Sequence, residues 1–143
     1  MKIKIAWIGK TKERAIEELT AEYLKRIGRY TNAEGIALKD EAALLKLRAH
    51  PRHTLVLLDS RGKQLSSEEF AKFVGDYQDR NPLPLMFAIG PPGGFSDVAR
   101  QAATFTISLG KLTLAHELAR VVLLEQLYRA FTILKRHPYH LGH

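Results

Sequence analysis

The chain has 143 residues, 45% of them hydrophobic, with no cysteine and a formal net charge of +7 from 22 basic and 15 acidic residues. One domain spanning 1–143 is expected, with enough apolar material for a core that needs no disulfide or metal staple. No run of about 18 apolar residues exists, which excludes a transmembrane helix, and the missing cysteines fit a reducing cytoplasm.

The elements alternate from the start. Ile3, Ile5, Trp7 and Ile8 form a first strand that stops at Gly9; its alternation lacks the long apolar centre of a signal peptide. A helix follows over about Lys12 to Arg29, with Ile16, Leu19, Tyr23, Leu24 and Ile27 on one apolar face and charges on the other. Gly35 to Leu38 is a weak second strand, and Glu41 to Arg48 a short helix ended by Pro51. His53 to Asp59 contains Leu55-Val56-Leu57-Leu58, a continuous apolar run suited to a central parallel strand. Ser66 and Glu69 have capping-box spacing and open a helix that buries Phe70, Phe73, Val74 and Tyr77.

Leu85 to Ile89 is the fourth strand, and it runs into Gly90-Pro91-Pro92-Gly93-Gly94-Phe95-Ser96. Ser96 caps a short helix over Asp97 to Ala103. Phe105 to Leu109 is the last strand, followed by Gly110-Lys111-Leu112-Thr113-Leu114 and a long helix from Ala115 to His137. Strand-helix alternation with apolar strands predicts an α/β sandwich around a mainly parallel sheet. In the long helix Leu123, Leu127, Ala130, Phe131 and Leu134 share a face, while Leu118, Val121, Val122 and Ile133 point elsewhere. A helix apolar on several sides needs several covers, and a homodimer is the expected source of one.

Two strand exits close together make the frame of a small-molecule pocket. Gly9-Lys10-Thr11 is no phosphate loop, because Lys4 stands where that motif needs its first glycine. The Gly90 loop is no dinucleotide fingerprint, because Pro92 occupies the second glycine's place. It reads either as a plain turn or as a rigid wall that a ligand approaches closely. Leu109 to Leu114 carries three leucines in six residues, which suits a planar, partly apolar ligand whose edge is read by the main chain. His116 and Arg120 at the start of the long helix face a negative ligand or are ordinary solvated charges. Arg129, Lys135 and Arg136 are most simply solvated, and otherwise meet phosphates. The tail holds His137, Tyr139, His140 and His143 without an accompanying carboxylate or thiol, so no metal site is expected. Tyrosine and histidine together suit stacking on a base and moving a proton near neutral pH. The basic balance favours RNA, DNA or ribosomes, although ordinary solubility charge gives the same count.

Leu85 to Gly94, Ser108 to His116 and Glu125-Gln126-Leu127-Tyr128-Arg129-Ala130 together resemble the SPOUT class of RNA methyltransferases, and His137-Pro138-Tyr139-His140 makes the chain similar to the RlmH family. The resemblance covers nearly the whole chain. It implies a C-terminal trefoil knot, a homodimer, S-adenosylmethionine as cofactor, and methylation of N3 of a pseudouridine in 23S ribosomal RNA by a cytoplasmic enzyme. The implied cofactor residues are Leu58, Gly90, Leu109, Gly110, Lys111, Leu112, Thr113 and Leu114. Tyr139 and His140 are the implied substrate-side residues, with His116 and Arg120 in support. Two positions depart from the family pattern. Pro91 replaces a glycine and removes an N–H donor, and Leu141 stands where a basic residue usually follows Tyr-His. The alternatives are a related enzyme acting on another uridine or a ribose 2′-hydroxyl, and a ribosome-binding module without catalysis.

Overall fold

The computed structural model describes the backbone of residues 1–141 and the side chains of 1–139. In chain order the elements are β1 (Lys2–Ile8), α1 (Arg14–Ile27), β2 (Asn32–Leu38), α2 (Glu41–Ala49), β3 (Thr54–Gln64), α3 (Ser67–Arg80), β4 (Leu85–Ile89), α4 (Asp97–Ala102), β5 (Phe105–Ser108) and α5 (His116–Leu134), then a 3₁₀ turn over Pro138–Leu141. The strands form one sheet in the order β2-β1-β4-β3-β5, with every pairing parallel. The predicted α/β sandwich is present, and its sheet is wholly parallel.

Alternation along the strands sends side chains to two cores. Ile3, Ile5, Val56, Leu85 and Phe87 pack on one face against Ile27 of α1, Phe70 and Val74 of α3, and Leu123, Leu127 and Phe131 of α5. Ala6, Leu55, Leu57, Met86 and Ala88 pack on the other against Leu44 of α2 and Ala99 of α4. All five residues of β4 are buried, as expected for a strand covered on both faces. The capping box at Ser66 is complete: Glu69 N–H donates to Ser66 Oγ (3.0 Å) and Ser66 N–H to the Glu69 carboxylate (2.8 Å).

Several boundaries move from their sequence positions. The first helix starts at Arg14 rather than Lys12, because the amides of Lys12 and Glu13 donate to the distant Glu117 carboxylate at 3.1 and 3.2 Å. The second strand begins at Asn32 and pairs with β1 over its full length; as an edge strand it lacks a continuous apolar run. β3 continues to Gln64 through an irregularity, so that both Leu58 and Lys63 fall opposite Ile107. The long helix stops at Leu134 instead of His137. Arg136 takes a positive φ of 58°, His137 N–H donates back to Thr132 O (2.8 Å), and Pro138 disfavours helix at the residue before it.

The apolar sides of α5 are partly covered within the chain. Leu123, Leu124, Leu127, Ala130 and Phe131 are buried, but Leu134, expected on the same face, is 38% exposed and Leu118 is 52% exposed.

The return of β3 brings Gly62 against β5. A Cβ there would lie 2.7 Å from backbone atoms of Ile107 and Thr106, and backbone cannot yield as a side-chain tip can. Gly62→Val is expected to destabilise the fold by about 1–3 kcal/mol, read as a lowered midpoint in urea unfolding.

Candidate functional site

Parallel strands bring their carboxyl ends to one edge of the sheet, and a cleft of about 250 Å³ opens there between β3, β4 and β5. Ile89 and Ser108 end β4 and β5, and Leu58 lies just before the irregularity in β3. The wall from Gly90 to Phe95 stands opposite the wall from Leu109 to Leu114, and His116 and Ala119 of α5 close the third side. Seven of the eight predicted cofactor residues therefore line one cavity: Leu58, Gly90, Leu109, Gly110, Leu112, Thr113 and Leu114. Lys111 belongs to the same loop, but it is exposed and does not line the cleft. A second hollow of about 290 Å³, over Leu65, Phe70, Val122 and Gln126, shares Leu58, Ser108 and Leu109 with the first.

Each wall is fixed by short polar contacts. Gly94 N–H donates to Pro91 O (2.8 Å), closing a tight turn. Glu41, at the start of α2, accepts from Ser96 N–H (2.9 Å) and Ser96 Oγ (2.5 Å). Arg100 donates to Phe95 O (2.6 Å) and reaches Asp59 (3.4 Å) and Asp97 (2.5 Å), tying the glycine wall to the irregularity in β3. That bond with Arg100 holds the Asp97 carboxyl below its ordinary value. Gly90 packs directly over Phe95: a Cβ would meet its ring at 3.1–3.2 Å. In the other wall Gly110 has φ +129°, a conformation side chains rarely adopt, and its N–H donates to Ser108 Oγ (3.2 Å) while that hydroxyl donates to Gly110 O (2.9 Å).

Asp59, Ser108 and Phe95 line the cleft without having been singled out from sequence. For Asp59 the available signal was its place at the end of the central apolar strand, where polar residues of parallel sheets meet ligands.

The first turns of α5 separate two surroundings. His116 and Ala119 face the cleft, whereas Glu117 turns to the α1 loop and Arg120 lies against Trp7 and Thr20 on the other side. Arg120 thus stands apart from the cleft of its own chain. The tail residues are further still, because the 19-residue helix α5 places its two ends about 28 Å apart. Tyr139 is docked on α5, its hydroxyl donating to Glu125 (2.8 Å), its ring 4.7 Å from that of Tyr128 and 5.1 Å from the Arg129 guanidinium. Burial first, and then the bond to Glu125, push its phenol well above the ordinary range, so it is a neutral donor. Arg129, read from sequence as solvated, makes an ion pair with Glu125 at 2.7 Å. The side chain of His140, and His143 altogether, lie outside the described residues. Among the described residues no three histidine, aspartate or glutamate side chains gather as a metal site, and no helix is long and apolar enough to cross a membrane.

An open parallel sheet with a loop-walled cleft at its carboxyl edge and a long helix closing it defines an open α/β fold with a small-molecule cleft at its strand ends. A family model described as predicted SPOUT methyltransferase matches residues 1–140, and the chain belongs to that family. It is 56% identical, over 100% of both chains, to the ribosomal RNA large subunit methyltransferase H of Koribacter versatilis. It is 42% identical to the protein of the same name from Geotalea daltonii, over 98% of this chain and 99% of that one. Among solved structures, a probable methylase family protein from Haemophilus influenzae superposes with a TM-score of 0.62 at 16% identity, covering 96% of this chain and 69% of that one. A probable methyltransferase from Bordetella pertussis gives 0.60 at 13% identity over 90% and 95%. The methyltransferase AviRb from Streptomyces viridochromogenes, solved in complex with AdoMet, gives 0.50 at 12% identity, and this chain spans 56% of its length.

Glu117, 9% exposed, joins the start of α5 to the α1 loop by accepting two backbone N–H groups. Glu117→Ala leaves both donors without that acceptor and is expected to cost about 1–3 kcal/mol; thermal unfolding of the purified variant checks it.

Proposed function

We propose that this chain is a ribosomal RNA methyltransferase that uses S-adenosylmethionine to methylate N3 of a pseudouridine in large-subunit RNA. The observation that carries the reading is the convergence of two loops and the α5 start on one cleft at the sheet's carboxyl edge, in a chain with full-length relatives named for large-subunit RNA methylation. The residues fit the cofactor. Leucines 109, 112 and 114 offer apolar surface for a purine, and the main chain from Gly90 and from Gly110 to Leu114 lies along the cleft to meet its polar edge. When bound, S-adenosylmethionine supplies an electrophilic methyl group on a sulfonium.

The chain's own work is alignment and proton removal. The glycine wall, braced by Arg100 and Glu41, would keep the bound cofactor in one orientation. N3 of the uracil-type ring would give its proton to a base or to solvent, leaving a lone pair free to accept the methyl group that the bound cofactor would supply. His116, on the cleft wall, is the side chain of the cleft best suited to take that proton. Tyr139 and His140 belong on the substrate side, Tyr139 as a stacking ring and hydroxyl donor rather than as a base.

A helix length separates that tail from the cleft of its own chain, so the reading includes a homodimer in which one copy's tail meets the other's cleft. Exposed Leu19 and Leu118 supply apolar surface for that contact. A trefoil knot in the C-terminal third and action on ribosomes in the cytoplasm belong to the same proposal.

Calorimetry is expected to find S-adenosylmethionine binding that Gly90→Leu abolishes while sedimentation still reports a dimer; unaltered affinity in the variant would count against the cleft. Mass mapping of ribosomal RNA from a deletion strain is expected to lose one methyl on a large-subunit pseudouridine. Loss at another uridine or at a ribose would redirect the substrate assignment. Co-expressed Gly90→Leu and Tyr139→Ala chains, each inactive alone, are expected to recover about a quarter of wild-type activity, because half of randomly mixed dimers keep one intact shared site.

A further inference from the structure

On the side of α5 away from the cleft, a third cavity, of about 480 Å³, opens between β1, α1 and α5. Arg120 forms part of its wall and is only 2% exposed. Its guanidinium stacks over the Trp7 ring at 3.9 Å, and Nη1 donates to Thr20 Oγ1 at 3.3 Å. The Thr20 hydroxyl in turn donates to Ile16 O (2.7 Å). Among the described residues Arg120 has no ion pair, and the buried Nε of Arg120 and Nε1 of Trp7 have no hydrogen-bond partner. The two carboxylates that act on it do so at longer range. Glu117 is occupied by the Lys12 and Glu13 amides, and Glu17 stands exposed at the cavity margin.

Burying a guanidinium against one neutral acceptor and an aromatic face is costly unless an anion completes it. Lys10 and Thr11, from the loop after β1, line the same cavity and add an exposed cation and a hydroxyl. The rest of the wall is apolar, from Ala21, Leu24 and Ala37. A charged corner beside an apolar wall and an indole, in a space several times larger than one carboxylate needs, suits a nucleotide unit better than an acidic side chain. Location agrees, since Trp7 is in register with Ile89, a cleft residue, so the two cavities open from adjacent strand ends.

We propose that this cavity is a second RNA subsite, in which Arg120, with Lys10 and Thr11, binds a backbone phosphate of a nucleotide near the one being modified. This rests on the reading of the substrate as RNA. Arg120 is a positioning residue, separate from the cofactor cleft.

The test is fluorescence anisotropy of a short labelled single-stranded RNA titrated with the full-length protein at several salt concentrations, beside calorimetry with S-adenosylmethionine. Arg120→Met is expected to weaken RNA binding about tenfold or more, the loss of a charge-assisted hydrogen bond, and to lower the salt-dependence slope by about 0.7, one single-strand phosphate. Cofactor affinity stays at the wild-type value. Lys10→Gln, at an exposed position that does not bear on folding, is expected to lower the slope in the same direction with a smaller loss of affinity. Wild-type affinity and slope in both variants would overturn the subsite while leaving the RNA reading intact; no RNA binding by the wild-type protein would overturn the reading beneath it. Conversion of a wild-type dimer to a monomer by Arg120→Met would also overturn the subsite, by assigning the guanidinium to a second copy of the chain.

Discussion

Because all five strands run the same way, every chain exit at their carboxyl ends falls on a single edge, and the connecting helices have to return across the two faces. The cleft follows from that constraint. Three neighbouring strands, β4, β3 and β5, each release a loop or an irregular turn at that edge, and the space between those segments is bounded by the strands themselves, the two loops and the first turns of α5. The sheet itself is held by burial on both faces, with β4 enclosed completely, so the positions of the exits are set by the stiffest part of the molecule.

Helix α5 converts that edge into two compartments. Its inner faces bury Leu123, Leu124, Leu127 and Phe131 against the sheet, α1 and α3, which fixes its axis. Glu117 then fixes its beginning, by accepting the amides of the α1 loop. With axis and start both held, the helical repeat decides the rest: residues 116 and 119 face the cleft, and 117 and 120 face α1. Arg120 owes its buried position and its stacking on Trp7 to that geometry.

The polar contacts divide into those that shape loops and those that remain open to a ligand. Arg100 and Glu41 spend their charges on loop carbonyls, amides and hydroxyls. Glu125 gathers Arg129 and Tyr139 at the far end of α5, so the tail is parked on its own helix, far from its own cleft. Arg120 lacks a comparable partner. The contrast is physical: loops are fixed by satisfied charges, and recognition needs charges whose last partner arrives with the ligand.

Much of this was legible in the chain of letters. Apolar runs and alternation located all ten helices and strands, since burial on one or two faces writes itself into local periodicity. Seven of the residues expected from the paired loops after Ile89 and Leu109, and from the resemblance they carried, line one cleft. What sequence could not supply were the packing and contacts of residues far apart in the chain. Glu117 trimming the start of α1, Gly62 meeting the backbone of β5, Lys111 turned away from the cleft, and Arg120 turned toward Trp7 all depend on how elements pack. Local pattern records which residues are buried and how often they recur; the direction in which a given side chain points, and the partner it finds there, is decided only when the helices are laid on the sheet.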